Sequence, residues 1–239
     1  MITKKICVIG LAIVMLTSST LAEDRTGFYL KGNVGANKMK NAKEYFTDDN
    51  APNIKFRSKS QISPAFNIGA GFYSNNFLRH DLSFGYQKVN FKKSSINHPI
   101  YNEEEDINYT GLFEINRKSS IYSLMFNSYI DLPISDNFNF IFGGGIGIAQ
   151  IKEKLKGKVI IKLNDGVNVT AQDKSEKSKN KRNFAYSLTT GISLKVSDNT
   201  NFELTYNWQD FGKTKYKDKD VTKNRYNGHS IMTGVRFDV

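Results

Sequence analysis

Alternation with a period of two runs through eight segments of this chain and limits its fold more than any other feature. Phe28, Leu30, Val34 and Ala36 alternate with Tyr29, Lys31, Asn33 and Asn37, and Phe66, Ile68, Ala70 and Phe72 with Asn67, Gly69 and Gly71. Leu82, Phe84 and Tyr86 lie opposite in parity to Asp81, Ser83, Gly85 and Gln87. Tyr122, Leu124, Phe126 and Ile130 lie opposite to Ser123, Asn127 and Asp131. The device returns with Phe138, Phe140, Phe142, Ile146 and Ile148, then with Phe184, Tyr186, Leu188, Ile192, Leu194 and Val196. It closes with Phe202, Leu204, Tyr206 and Trp208, and with Ile231, Val235, Phe237 and Val239. Side chains of a strand point alternately to its two faces, so each segment reads as a β-strand with one apolar face.

The links between these strands alternate strictly in length. Residues 74–76, 132–137 and 197–200 are short and rich in Asn, Ser, Asp or Pro, as tight turns require. Residues 38–59, 92–118, 151–182 and 210–227 are long and polar. All long links therefore fall at one end of an up-and-down meander. Segments 27–37, 138–150 and 183–196 reach the roughly 9 to 11 residues with which a tilted strand crosses a bilayer. In lipid every backbone polar group must be paired, which leaves helices and closed barrels as spanning forms. The expected fold is all-β: an eight-stranded antiparallel up-and-down transmembrane β-barrel with four long extracellular loops and three short periplasmic turns. A soluble lipocalin-like calyx is the rival.

The other face favours the membrane reading. Lys31, Arg79, Asp81, Lys195, Glu203 and Arg236 have the parity opposite to the large apolar residues of their strands, which places them in the barrel interior. Eight strands enclose only enough room for side chains. Charges there must pair and hydrogen-bond, so a plug of side chains is expected in place of an open solute channel.

The N-terminus sets Lys4 and Lys5 ahead of an apolar run from Ile6 to Leu16, followed by Thr20-Leu21-Ala22. This order reads as a secretory signal peptide over residues 1–22, cleaved after Ala22, leaving residues 23–239 as a single barrel domain. The apolar run is shorter than the roughly 20 residues of a spanning helix. The only cysteine, Cys7, would leave with the signal, so the mature chain would have no thiol for a disulfide, a metal or a nucleophile.

No motif calls for a cofactor, a metal or catalysis. The run Gly143-Gly144-Gly145-Ile146-Gly147 lacks the Gly-Lys-Ser/Thr and the helix of a phosphate cradle and reads as small positions in a crowded barrel. His80, His98 and His229 have no metal-ligand spacing. Ser83, His80 and Asp81 share one strand but point in alternating directions, which does not provide the base-to-nucleophile geometry of a hydrolase. Aromatics gather towards the two ends, with Phe28, Tyr73, Phe77, Phe138, Phe202 and Phe237 near the turns and Tyr86, Tyr122, Phe184, Trp208 and Phe211 near the loops. Two such rings are expected at the headgroup levels.

The stretches GFYLKGNVGA from Gly27, FIFGGGIGIA from Phe140 and GHSIMTGVRFDV from Gly228 resemble the small outer-membrane β-barrel families of Gram-negative bacteria, and within them the rickettsial adhesins. The resemblance spans about residues 27–239. It implies that the last strand is similar to a signal for the outer-membrane insertion machinery, with Ile231, Val235 and Phe237 in the alternation and Val239 where an aromatic residue usually stands. It also implies a host-cell or serum-protein partner.

The formal net charge of +11 is concentrated in the long links. Residues 151–182 carry ten Lys and Arg against four acidic residues, and residues 210–227 carry six against three, whereas Glu103-Glu104-Glu105-Asp106 forms an acidic patch. Export argues against nucleic acid as the partner. Lys152, Lys154, Lys156, Lys158, Lys177, Lys179, Lys181, Lys213, Lys215, Lys217 and Lys219 are the expected contacts, since clustered positive charge accelerates capture of an acidic partner. The function expected is a non-enzymatic surface adhesin that binds host-cell or serum proteins. The alternatives are a structural barrel whose loops meet outer-membrane lipid and lipopolysaccharide, and a barrel enzyme such as a protease or acyl-transfer hydrolase.

Overall fold

A computed structural model describes residues 27–48, 51–102, 107–162, 168–178, 182–214 and 224–239. The expected signal segment, residues 1–22, lies outside them.

Eight strands close into a barrel: β1 (Gly27–Met39), β4 (Ser63–Tyr73), β5 (Leu78–Asn90), β7 (Ile107–Ser135), β8 (Phe138–Lys162), β10 (Arg182–Ser197), β11 (Thr200–Lys213) and β12 (Arg225–Asp238). Each pairs antiparallel with its neighbours in chain order. The seam between β1 and β12 closes the ring, from Tyr29 opposite Asp238 to Met39 opposite Gly228. Closure removes the sheet edge, whose unpaired amides lipid would not tolerate.

The alternation predicted from sequence sets the two faces. On β12, Ile231, Val235 and Phe237 point outward and are exposed, while Ser230, Met232 and Arg236 are buried inside. Phe142 and Leu188, each 54% exposed in the isolated chain, lie on the outward face. The glycines of the β8 run have a packing reason. A Cβ on Gly143, Gly145 or Gly147 would run into Tyr129, the Asn127 side chain or the Leu124 carbonyl across the β7–β8 seam. At the turn end, the Asn75 side-chain oxygen accepts hydrogen bonds from the amides of Phe77 (2.9 Å) and Leu78 (2.7 Å), fixing the β4–β5 reversal.

The long links differ from the polar loops expected. Much of their length is paired strand. The first contains a hairpin of β2 (Ala42–Asp48) and β3 (Ala51–Ser58). In the second, β6 (Ser94–Asn102) folds back on the outer part of β7. In the third, β9 (Asn168–Lys177) folds back on the outer part of β8. Strands β7 and β8 are 29 and 25 residues long, more than twice what the bilayer needs, and stay paired up to Thr110 opposite Lys162. Backbone pairing does not depend on an apolar face, so the ladder continues past the span. The 132–137 link also shortens to a reversal at Asp136-Asn137, because β7 runs to Ser135. The acidic patch at residues 103–106 lies outside the described residues.

Candidate functional site

The barrel interior is filled in layers. At the turn end, Arg79 Nε holds both carboxylate oxygens of Asp131 at 2.9 and 3.1 Å, and its Nη2 reaches Glu203 at 3.0 Å. Arg236 Nη1 lies 2.9 Å from Asp131 and 3.3 Å from Glu203. Lys31 pairs with Asp81, and the Asn127 amide donates to the same carboxylate at 2.7 Å. Three cations, Lys31, Arg79 and Arg236, thus meet three buried anions, Asp81, Asp131 and Glu203, and Arg236 Nε lies 3.7 Å from a fourth, Asp238. The rings of Tyr29 and Tyr129 flank Arg79 at 5.5 and 4.5 Å.

Five of the six charges assigned to the interior by parity therefore sit there, buried: Lys31, Arg79, Asp81, Glu203 and Arg236. Lys195 does not join them. It stands at the turn-end rim beside the irregular β10–β11 register and is paired with exposed Asp198 at 3.1 Å. Parity points a residue to a side, but at the last rung the inside is already open to water. Asp131, the hub of the layer, shares the interior parity of Ser123 and Asn127, so its sequence position carried the signal.

Above this layer a polar chamber is lined by Ser83, Gln87, Asn127, Thr189, Asn207 and Gln209 among others. Above that the interior turns apolar, with Met39, Val89, Phe91, Ile121, Ile151, Ala185, Phe211 and Tyr226 packed together. Within this cap Arg117 pairs with Glu153 at 2.7 Å, both side chains fully buried. The Tyr226 hydroxyl donates to Glu153 and lies 2.5 Å from the Ser119 hydroxyl. Burial, with the Glu153 carboxylate beside it, pushes the Tyr226 hydroxyl well above its ordinary pKa. Side chains fill the bore at both levels. Two aromatics placed by sequence in the interfacial rings belong inside: Tyr73 is buried near the turns and Phe211 is buried in the cap.

The outer wall has an ordered sequence of rungs. Phe84, Leu124, Ile148 and Phe184 form an apolar row across β5, β7, β8 and β10. The next rung carries Tyr86, Tyr122 and Gln150, the next Lys88, Ser120 and Lys152, and the one above it Asn90, Lys118, Lys154 and Lys177. Lys156 and Lys158 continue the β8 column, opposite Asn116 and Glu114. Lys213 is exposed at the end of β11. Lys179, Lys181, Lys215, Lys217 and Lys219 lie outside the described residues. Lys88 and Lys118 were missed by the sequence reading because each is a single lysine within its strand, and only the register brings them beside the β8 lysines.

The Ser83, His80 and Asp81 group makes no relay. Ser83 and Asp81 share the Asn127 amide inside, whereas His80 is on the outward face, 2.8 Å from Ser128. His229 is 2.6 Å from Tyr206 on another part of the wall. Among the described residues no cluster of His, Cys, Asp and Glu is placed to hold a metal ion.

A closed wall that is apolar outside over the span, with salt-bridged charges inside, defines an integral outer-membrane β-barrel. The chain belongs to the outer membrane protein beta-barrel domain family, whose profile matches residues 8–237. It is 34% identical over 229 residues to a Rickettsia conorii protein named "Putative adhesin", covering 93% of this chain and 86% of that one. A Rickettsia bellii protein of the same designation is 31% identical, covering 99% of this chain and 100% of the relative. Among solved structures, the outer membrane protein OprG from Pseudomonas aeruginosa aligns with a TM-score of 0.47 and 11% identity, covering 91% of this chain and 98% of that one.

Proposed function

We propose that this barrel is a non-enzymatic surface adhesin that captures an acidic host-cell or serum protein on the basic sheet and loops above the membrane. The observation that carries the reading is the extension of β7, β8 and β9, a paired ladder whose outward face presents Lys156 and Lys158 well beyond the span. Clustered positive charge on a fixed scaffold speeds capture of an acidic partner. The similarity to rickettsial proteins named "Putative adhesin" supports the same role. Lys179, Lys181, Lys213, Lys215, Lys217 and Lys219 complete the proposed contact. Export through a signal peptide cleaved after Ala22 is part of the proposal, and the N-terminal sequence of the surface protein reads it directly.

The test displays the parent barrel and a variant with these eight lysines replaced by Gln, leaving Lys152, Lys154 and Lys177 intact. Binding of host cells and of serum proteins is measured at physiological and raised salt. Binding should fall in the variant and in salt at equal surface abundance. A parent that binds no better than an empty outer membrane, or a variant that matches it at both salt levels, ends the adhesin reading.

A further inference from the structure

The lowest lysines of the sheet stand in a different setting from those above them. Successive outward residues on a strand are about 6.7 Å apart. With a strand tilt near 40°, each rung rises roughly 5 Å. Lys88 and Lys152 are thus about one rung above the Tyr86–Tyr122 pair, whose ring centroids are 5.2 Å apart. Lys118, Lys154 and Lys177 are about two rungs above it. Tyrosines of this kind mark the headgroup level of a spanning barrel. The five lysines therefore lie one to two rungs beyond the tyrosine level along their strands, on the outward face, where the headgroup region begins.

Their arrangement is costly without a counter-ion. Lys118 is directly opposite Lys154, and Lys154 directly opposite Lys177. Like charges so placed on neighbouring strands destabilise a sheet. None of the five has a carboxylate partner among the described residues, and Glu153, next in sequence to two of them, points inward to Arg117. Below them, Ser120 separates Lys88 from Lys152 with a small side chain, leaving a shallow concavity. Lys152, one of the residues lining it, has its ammonium 5.0 Å over the Tyr122 ring.

We propose that this basic wall is a seat for the phosphate of an anionic lipid in the outer leaflet. The acyl chains would lie along the apolar row of Phe84, Leu124, Ile148 and Phe184, and the phosphate would neutralise the opposed lysines. The seat is separate from the adhesive contact. It uses lysines left unaltered in the adhesion variant, and its test contains no host component, so either reading can fail alone.

The whole barrel is refolded into vesicles of phosphatidylcholine, with and without phosphatidylglycerol. The parent is compared with K118Q/K154Q, with the fivefold glutamine variant that adds K88Q, K152Q and K177Q, and with the corresponding fivefold arginine variant. In phosphatidylcholine alone K118Q/K154Q should be at least as stable as the parent, because a repulsion has been removed. With phosphatidylglycerol the order should reverse. After extraction into mild detergent, native mass spectrometry should find at least about tenfold less bound phosphatidylglycerol on the fivefold glutamine variant, given the attraction of each lysine to an anionic surface. The arginine variant should retain the lipid, and inorganic phosphate should not displace it. Equal lipid retention by parent and glutamine variant, an unchanged order of stability in the two vesicles, or displacement by inorganic phosphate would overturn the proposal.

Discussion

The lower and upper interiors of this barrel are built from opposite materials. Near the turns the bore holds Lys31, Arg79, Asp81, Asp131, Glu203 and Arg236 in one salt-bridged network. Near the loops it holds Val89, Phe91, Ile121, Ile151 and Phe211. The difference follows from what lies outside the wall. Over the span the wall faces lipid, so the apolar residues go outward and the polar ones inward. Above the span it faces water, and the same strands reverse the assignment, as a soluble barrel does. The reversal occurs within single strands. On β5 the apolar residues Leu82, Phe84 and Tyr86 point out, then Val89 is inside, with Phe91 following just past the strand end. On β8 Ile146 and Ile148 point out, then Ala149 and Ile151 point in.

The largest effect should come from breaking the lower layer. Asp131 is shared by Arg79 and Arg236, so Asp131→Ala leaves Arg79 with Glu203 as its one carboxylate and Arg236 with Glu203 at 3.3 Å and Asp238 at 3.7 Å. Removing one partner from a buried ionic network costs about 3–5 kcal/mol. Urea unfolding of the barrel in vesicles should show that loss, with reduced recovery of the heat-modifiable folded form. A variant as stable as the parent would mean that the network is dispensable and the layered account is wrong.

A smaller effect, graded by height, should locate the boundary between the two regimes. Arginine at Phe142 or Leu188 puts a charge against lipid near the midplane, at a cost of about 2–4 kcal/mol, and the penalty should fade towards the interface. Moving the arginine up the outward column of β8, from Phe142 to Ile148 and then Gln150, should restore insertion, scored by protection of the barrel from protease. If Gln150→Arg inserts as badly as Phe142→Arg, the tyrosine rung does not mark the headgroup level.

How much of this was legible in the sequence depends on the same boundary. Within the span, strict parity is enough: it yields the eight strands and places Lys31, Arg79, Asp81, Glu203 and Arg236 inside. Above the span, parity still holds but its chemical meaning inverts, which is why Phe211 reads as an interface anchor and is in fact core. The inversion was itself readable. The even positions Lys152, Lys154, Lys156 and Lys158 alternate with Glu153, Leu155 and Gly157, a period-two pattern written in charge. Cross-strand neighbours were not readable, because the pairing of Lys118 with Lys154, or of Arg117 and Tyr226 with Glu153, needs a register that no single strand contains.

The smallest effect tests the polar network of Arg117, Glu153, Ser119 and Tyr226 inside the apolar cap. Tyr226→Phe removes a hydroxyl that donates to Glu153 and contacts Ser119 while keeping the ring packed on Phe91, whose centroid lies 6.2 Å away. Losing a hydrogen bond to a charged acceptor costs about 1.5–3 kcal/mol, at the lower end here because Arg117 still pairs with Glu153. The pH dependence separates this loss from a packing defect. The folded chain holds the Tyr226 proton well above the ordinary tyrosine range, while the unfolded chain releases it near pH 10 or so. The contribution of this group is therefore constant below about pH 10, and the parent loses it as pH rises further, since the unfolded state then binds fewer protons than the folded one. Stability of the parent minus that of Tyr226→Phe should accordingly be flat from neutral pH to about 10 and then decline. A difference that stays constant through that range would show that the tyrosine titrates freely, and that the cap admits water where the structure packs apolar side chains.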